Sequence, residues 1–286
     1  MSDLIKNILI PVDFRGRTEA AISQAIELEC AGGLTIHLLH VLKSGNTWRS
    51  VGNPDQPDLL ESGNYAGKEE TTKIQQWIQV IQGSTPNIRF KICIMTGNVH
   101  DNIMVAARRI DPQLIILEKT NNSKGVQFFN SEYPDRLAKS TNLPVLTVLR
   151  GSAGIKIKTI VAPVGSFIPK RKIELIAVFA KKYRAKIHIV ALQNYPPAEN
   201  AGKNAILDTY RILRTGLTNQ IEYHLLKGNN LPKETLKYAE NVKADMLFVN
   251  PGCETIVSKF TGKHITSMLP PNSKLKIMTV KPYHIK

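Results

Sequence analysis

Cysteine is scarce in this chain: three residues, Cys30, Cys93 and Cys253, among 286. Odd in number and far apart, they supply neither a disulfide framework nor a CxxC metal knuckle, so they are expected to be reduced and structural. Aromatic residues make up only 6%. That is few for a surface that stacks nucleic-acid bases, so nucleic acid is not the expected partner. Long apolar runs are missing as well, because a charge, a proline or an amide breaks each one within about ten positions, well short of the roughly 18 residues that span a bilayer. A transmembrane helix is excluded, and no membrane partner is expected. The start, Met1 to Asn7, lacks the basic-then-apolar order of a secretory signal and runs straight into Ile8-Leu9-Ile10-Pro11-Val12. The expected compartment is the cytoplasm. Acidic residues are also few, 23 against 38 Lys and Arg, for a net charge of +15.

What is present is enough apolar material, 42% of residues, to build packed cores, and enough length for two domains. The charge is unevenly placed. Residues 1–150 carry 16 basic and 15 acidic side chains, net +1, whereas residues 151–286 carry 22 and 8, net +14. Any role for the basic charge therefore belongs to the second half.

The two halves repeat one unit. Lys6 to Val12 reappears as Lys158 to Val164, Leu34 to Leu38 as Ala185 to Ile189, Gly97-Asn98 as Gly228-Asn229, Leu114 to Leu117 as Met246 to Val249, and Val145 to Val148 as Ile277 to Val280. Conserved order at a slowly shrinking offset marks a duplication with a shorter second copy. The small-residue join Gly151-Ser152-Ala153-Gly154 places the expected domains at 1–150 and 151–286.

In each copy, β-branched runs alternate with helical periodicity. Strands are expected at 8–12, 34–42, 88–95, 114–117 and 145–149, with helices at 19–30, 68–81, 99–110 and 131–140. The second copy gives strands near 159–164, 186–192, 220–226, 246–249 and 275–280, and helices near 170–183, 204–215, 231–243 and 262–268. Continuous apolarity in the strands and the β-α alternation predict an α/β fold. Each half should be a doubly wound domain with a five-stranded parallel sheet covered by helices on both faces. Ligands in such sheets lie beyond the carboxyl ends of the strands.

Ile8-Leu9-Ile10-Pro11-Val12-Asp13-Phe14, Ala20 to Leu28, Leu38-Leu39-His40-Val41, Thr96-Gly97-Asn98 and Leu143-Pro144-Val145-Leu146-Thr147-Val148 together resemble a universal stress protein domain. The second copy follows the same order more loosely, so the whole chain resembles a tandem member of that family. The resemblance implies a Rossmann-like, adenine nucleotide alpha hydrolase-like fold. It also implies pairing through the last strand of each unit, here 145–149 with 275–280, and leaves a homodimer open.

Some members of that family hold ATP with an Asp at the end of the first strand and a G-x2-G-x9-G-[ST] loop after the fourth, whose backbone N–H groups and following helix start receive the phosphates. By this resemblance Asp13 and Val41 match the adenine and ribose positions. The loop of the first copy has Glu118, Asn121 and Ser131 at the glycine positions and Glu132 at the hydroxyl position. A carboxylate about 4 Å from a phosphate oxygen costs on the order of 4 kcal/mol at an effective dielectric near 20. ATP is therefore not expected in the first copy. In the second, Gly165 replaces the Asp and Val249 the first glycine, while Gly252 and Gly262 stand at the remaining two and Lys263 follows. Half of a phosphate loop is left. Lys170, Arg171 and Lys172 open a helix beside it, where cations are unfavourable unless something compensates them. One reading is a phosphate, sulfate or ATP bound by Gly252, Gly262, Lys263, Lys170 and Arg171; the other is solvated side chains.

The remaining candidates are weaker. Gly262-Lys263 is no Walker loop, because His264 follows and Val257 stands where the first glycine should be. His37 and His40 point to opposite faces of a strand and cannot share an ion, and His100, His224 and His264 read as separate loops or helix starts, so no metal is expected. Lys181-Lys182-Tyr183-Arg184 suits a helix end. Asp13 with Arg15 and Arg17 reads equally as a helix-capping ion pair or a ligand site. The long segments 43–67, with Trp48, and 194–204 read as lids, partner surfaces or plain loops. Nothing supports catalysis. The expected function is non-enzymatic stress response or regulation with degenerate ATP loops. The rivals are a phosphate-ligand or nucleotide binder using the second copy, and a scaffold for an acidic protein or nucleic acid.

Overall fold

A computed structural model describes residues 5–12, 18–29, 33–42, 72, 87–119, 130–149, 152, 154–194, 201–270 and 273–283. Asp13, Arg15, Arg17 and Trp48 lie outside these, as does the expected helix 68–81 apart from Thr72. The chain divides into two compact units, Met1–Phe128 and Phe129–Lys286. The first carries 13 basic and 13 acidic residues, net 0, and the second 25 and 10, net +15.

The first unit contains β1 (Asn7–Val12), α1 (Glu19–Glu27), β2 (Leu34–Leu42), β3 (Ile88–Thr96), α2 (Val99–Ile110) and β4 (Leu114–Lys119). Its strands run parallel in the order β3-β2-β1-β4. Ile8, Leu9 and Ile10 are consecutive and all fully buried. Such a run needs cover on both faces of the sheet, which is why apolarity without alternation marks a central parallel strand. Asn98 caps α2, its side chain accepting from the backbone N–H groups of His100 and Asp101. The Gly-Asn step therefore serves as a strand-to-helix turn.

The second unit holds α3 (Tyr133–Thr141), β5 (Val145–Leu149), β6 (Thr159–Pro163), α4 (Lys170–Tyr183), β7 (Lys186–Leu192), α5 (Ala201–Gly216), β8 (Ile221–Leu226), α6 (Leu231–Asn241) and β9 (Met246–Val249). It continues with β10 (Ile256–Ser258), β11 (Lys263–His264), α7 (Ile265–Met268) and β12 (Lys276–Thr279). The sheet order is β5-β12-β9-β6-β7-β8. All neighbours are parallel except β5 and β12, which pair antiparallel with Thr147 opposite Ile277. By sequence, α3 and β5 end the first copy; by contacts they belong to the second unit, because β5 is hydrogen-bonded to β12. Val161, Leu247, Val249 and Ile277 form the core with Leu236 and Ala239 of α6. No helix of the described residues is long and apolar enough to cross a membrane.

Two expectations change here. The helix expected at 262–268 is a β10–β11 hairpin followed by the four-residue α7, because Ile256 and Ser258 pair antiparallel with His264 and Lys263. His224 stands inside β8 and His264 inside β11, not in loops or helix starts.

Candidate functional site

The carboxyl end of β6 in the second unit faces the loop that follows β9. Pro163 ends β6, and one turn into α4 the side chain of Lys172 folds back to it. The Lys172 ammonium donates to the Pro163 carbonyl at 2.6 Å and to Glu254 Oε2 at 2.6 Å, and no part of the residue reaches solvent. The same Glu254 oxygen accepts the backbone N–H of Asn250 at 2.5 Å. Burial pushes the Glu254 carboxyl up and the Lys172 ammonium down, and their contact pulls each part of the way back. A cation at an uncapped helix start is thus compensated by a carboxylate of the same unit.

The glycine loop itself is also occupied from within. The Gly252 N–H donates to Asp135 Oδ2 at 3.1 Å and to Thr255 Oγ1 at 2.8 Å, and the Thr255 hydroxyl donates to the same Asp135 oxygen. His264 Nδ1 lies 3.7 Å from that oxygen. Asp135 belongs to the first turn of α3 and is buried. Burial raises its pKa, opposed by the Thr255 hydroxyl, His264, Gly252 and Lys139. Gly252 has φ +100° and Gly262 φ +60°, a region that favours glycine. The loop keeps a phosphate loop's backbone requirement, yet its donor at Gly252 is bound to a carboxylate.

In the first unit a carboxylate stands near the carboxyl end of the fourth strand. Glu118 Oε2 accepts from the N–H groups of Ala20 at 2.9 Å and Ala21 at 3.3 Å, the second and third residues of α1. Thr18, the cap residue, makes no side-chain cap bond. Glu118 therefore caps α1 from across the sheet and meets its positive dipole end. Its other oxygen, Oε1, has no hydrogen-bond partner among the described residues. Burial raises its pKa to about 7, against the two backbone bonds that lower it.

The residues singled out by sequence fall as follows. Asp13 lies outside the described residues. Val41 is half-buried in β2 opposite Met95. Gly252 sits at the start of the loop, while Gly262 and Lys263 stand exposed ten residues on at the hairpin turn. Lys170 is exposed. Arg171 is engaged: its Nη1 donates to Asn142 Oδ1 at 3.2 Å and to the Lys281 carbonyl at 3.4 Å, and its guanidinium lies 5.5 Å from the Tyr283 ring centre. Sequence reasoning overlooked Glu254 and Asp135 and read Lys172 as one more free cation. The available signal was Glu254 itself, a lone acid in a loop opposite three bases.

The chain matches the sequence model of the universal stress protein family over residues 4–148. No curated protein sequence gives a significant match. Among solved structures, a universal stress protein from Archaeoglobus fulgidus is similar over 99% of this chain and 100% of its own, with 15% identity and a TM-score of 0.62. A Pseudomonas aeruginosa protein described as functionally unknown matches 97% of this chain and 93% of its own, at 12% identity and TM-score 0.59. The cytoplasmic domain of a prokaryotic cation chloride cotransporter matches 96% and 95%, at 10% identity and TM-score 0.53. At such identities these likenesses establish the two-domain α/β fold. The family match covers half of the sequence and fits the strand order around Glu118, so this chain belongs to the universal stress protein family.

Proposed function

We propose that this universal stress protein is a non-enzymatic, cytoplasmic regulatory protein whose two nucleotide loops are degenerate. One observation carries the reading: the groups a phosphate would need are bound to the protein's own carboxylates. Asp135 accepts the Gly252 N–H and Glu254 accepts Lys172, while Glu118 accepts the first amides of α1. An incoming phosphate would have to displace carboxylates that already satisfy these donors, and leaving a buried charge unpaired costs several kcal/mol. The net charge of +15 in residues 129–286 favours an acidic protein as the partner such a regulator docks.

The test uses the full untagged chain. Extracted protein analysed by mass spectrometry is expected to carry no nucleotide, calorimetry with ATP, phosphate and sulfate to give no binding heat, and added ATP to remain unhydrolysed. Stoichiometric ATP, either retained or bound in titration, overturns the reading in favour of a nucleotide-binding member.

A further inference from the structure

A second cluster of chemically capable side chains lies on the β7–β8 ladder of the second unit, apart from the loop residues above. His188 of β7 stands opposite Glu222 of β8 in the parallel register, and Val190 stands opposite His224. Residues two apart on a strand share a face, so Glu222 and His224 point the same way as His188. Backbone register alone therefore converges two imidazoles and a carboxylate. Glu222 Oε2 lies 3.4 Å from His224 Nε2 and 3.9 Å from His188 Nδ1, and the three ligand atoms all lie within 4.8 Å of one another. The two rings stack, with centroids 5.5 Å apart and planes inclined by 17°.

Two observations set this cluster apart from an ordinary surface group. His224 Nε2 is buried without a hydrogen-bond partner of good geometry, which a polar atom seldom tolerates without a reason. Tyr238 of α6 holds the His188 ring in place at 2.8 Å from Nδ1. The Lys186 contact holds Glu222 ionised.

We propose that His188, Glu222 and His224 form a site for a divalent transition metal of the zinc type. Ligand atoms around a tetrahedral zinc at about 2.0–2.1 Å stand roughly 3.3 Å apart, so binding draws the three groups together and turns one imidazole out of its stack so that both ring lone pairs meet the ion. A set of two imidazoles and one carboxylate selects zinc or a similar borderline-soft ion over magnesium or calcium, which take oxygen ligands. Water completes the coordination, since His224 and Glu222 are each more than a third exposed. On binding, the ion replaces the Tyr238 hydroxyl as the partner of Nδ1 and competes with Lys186, whose Nζ now lies 2.9 Å from Glu222 Oε1.

The full untagged chain, stripped with a chelator, is titrated with zinc alone by calorimetry, with magnesium and calcium as controls and cobalt as a spectroscopic probe. One equivalent of zinc is expected to bind and to raise the melting temperature, with the visible absorption of tetrahedral cobalt and no response to magnesium. In His224→Gln and in a His188→Gln, His224→Gln pair, checked for native circular dichroism, affinity is expected to fall at least tenfold, and the thermal shift to vanish. Cys253→Ser is expected to change neither, which separates this site from the exposed thiol. Lys186→Gln, which removes the competing cation, is expected to bind zinc severalfold more tightly. Absence of stoichiometric binding, binding undiminished in the paired variant, or weaker binding by Lys186→Gln overturns the proposal.

Discussion

Glu118, near the carboxyl end of β4, and Glu254, in the loop after β9, are both buried, but the protein satisfies them by different means. Glu118 takes two amide N–H groups from the start of α1 and, among the described residues, keeps one oxygen unpartnered and meets no cation. Glu254 takes a lysine ammonium as well as an amide. The α1 start, with Glu19 in its first turn, offers only backbone donors, whereas the α4 start carries Lys170, Arg171 and Lys172. A buried carboxylate near the carboxyl end of the sheet can therefore serve either as a helix cap, with its proton affinity raised by burial, or as half of a buried ion pair.

The comparison breaks most sharply at Lys172. Lys172→Met leaves Glu254 buried without its cation, and is expected to destabilise the second unit by about 3–5 kcal/mol, because removing one partner of a buried pair exposes the full desolvation cost of the other. Adding Glu254→Gln to Lys172→Met is expected to recover most of that loss, since the amide keeps an acceptor for the Asn250 N–H. Urea unfolding of the single and double variants measures both. A single variant as stable as the parent would mean that the pair contributes nothing.

Glu118 sharpens the contrast through pH. Its pKa is raised in the folded chain to about 7 from an ordinary 4.5, so between those values the native state binds a proton that the unfolded state has released. Stability then falls as pH rises through that window, and is flat above it. Protection factors for the Ala20 and Ala21 amides, corrected for intrinsic exchange, are expected to be larger at pH 5 than at pH 8. In Glu118→Gln, which cannot ionise but still accepts a hydrogen bond, this difference is expected to disappear. A slope of equal size in the variant would place its origin elsewhere.

How far the sequence foretold this follows the same line. The sheet was legible because β1, β9 and β12 are central strands whose apolar runs have one explanation, and because the duplication repeats the strand order. The meeting of 145–149 with 275–280 followed from the family resemblance, and the structure adds that it is antiparallel. The hairpin at 256–264 was not legible: a short apolar run beside Gly262 fits a helix start as well as a turn. Nor were the partnerships of Glu254, Asp135 and Glu118, since each joins residues 82 to 120 positions apart and depends on where one side chain turns. The His188, Glu222 and His224 cluster was hidden for a simpler reason. It needs the β7–β8 register, and no local spacing in the sequence records it.

The smallest expected effect concerns the lysines that sequence reasoning placed around a phosphate. Lys170 and Lys263 are exposed, unlike Lys172. Lys170→Ala and Lys263→Ala are each expected to shift unfolding free energy by less than about 0.5 kcal/mol, as solvated surface charges do. Slight stabilisation is the expected sign for Lys170→Ala, because a cation in the first turn opposes the helix dipole. Denaturation in low salt, where dipole and charge effects are least screened, is the sensitive condition. If Lys170→Ala instead costs about 1 kcal/mol or more, Lys170 has a counter-charge in solution, and the second copy would then compensate its α4 cations in two places, not one.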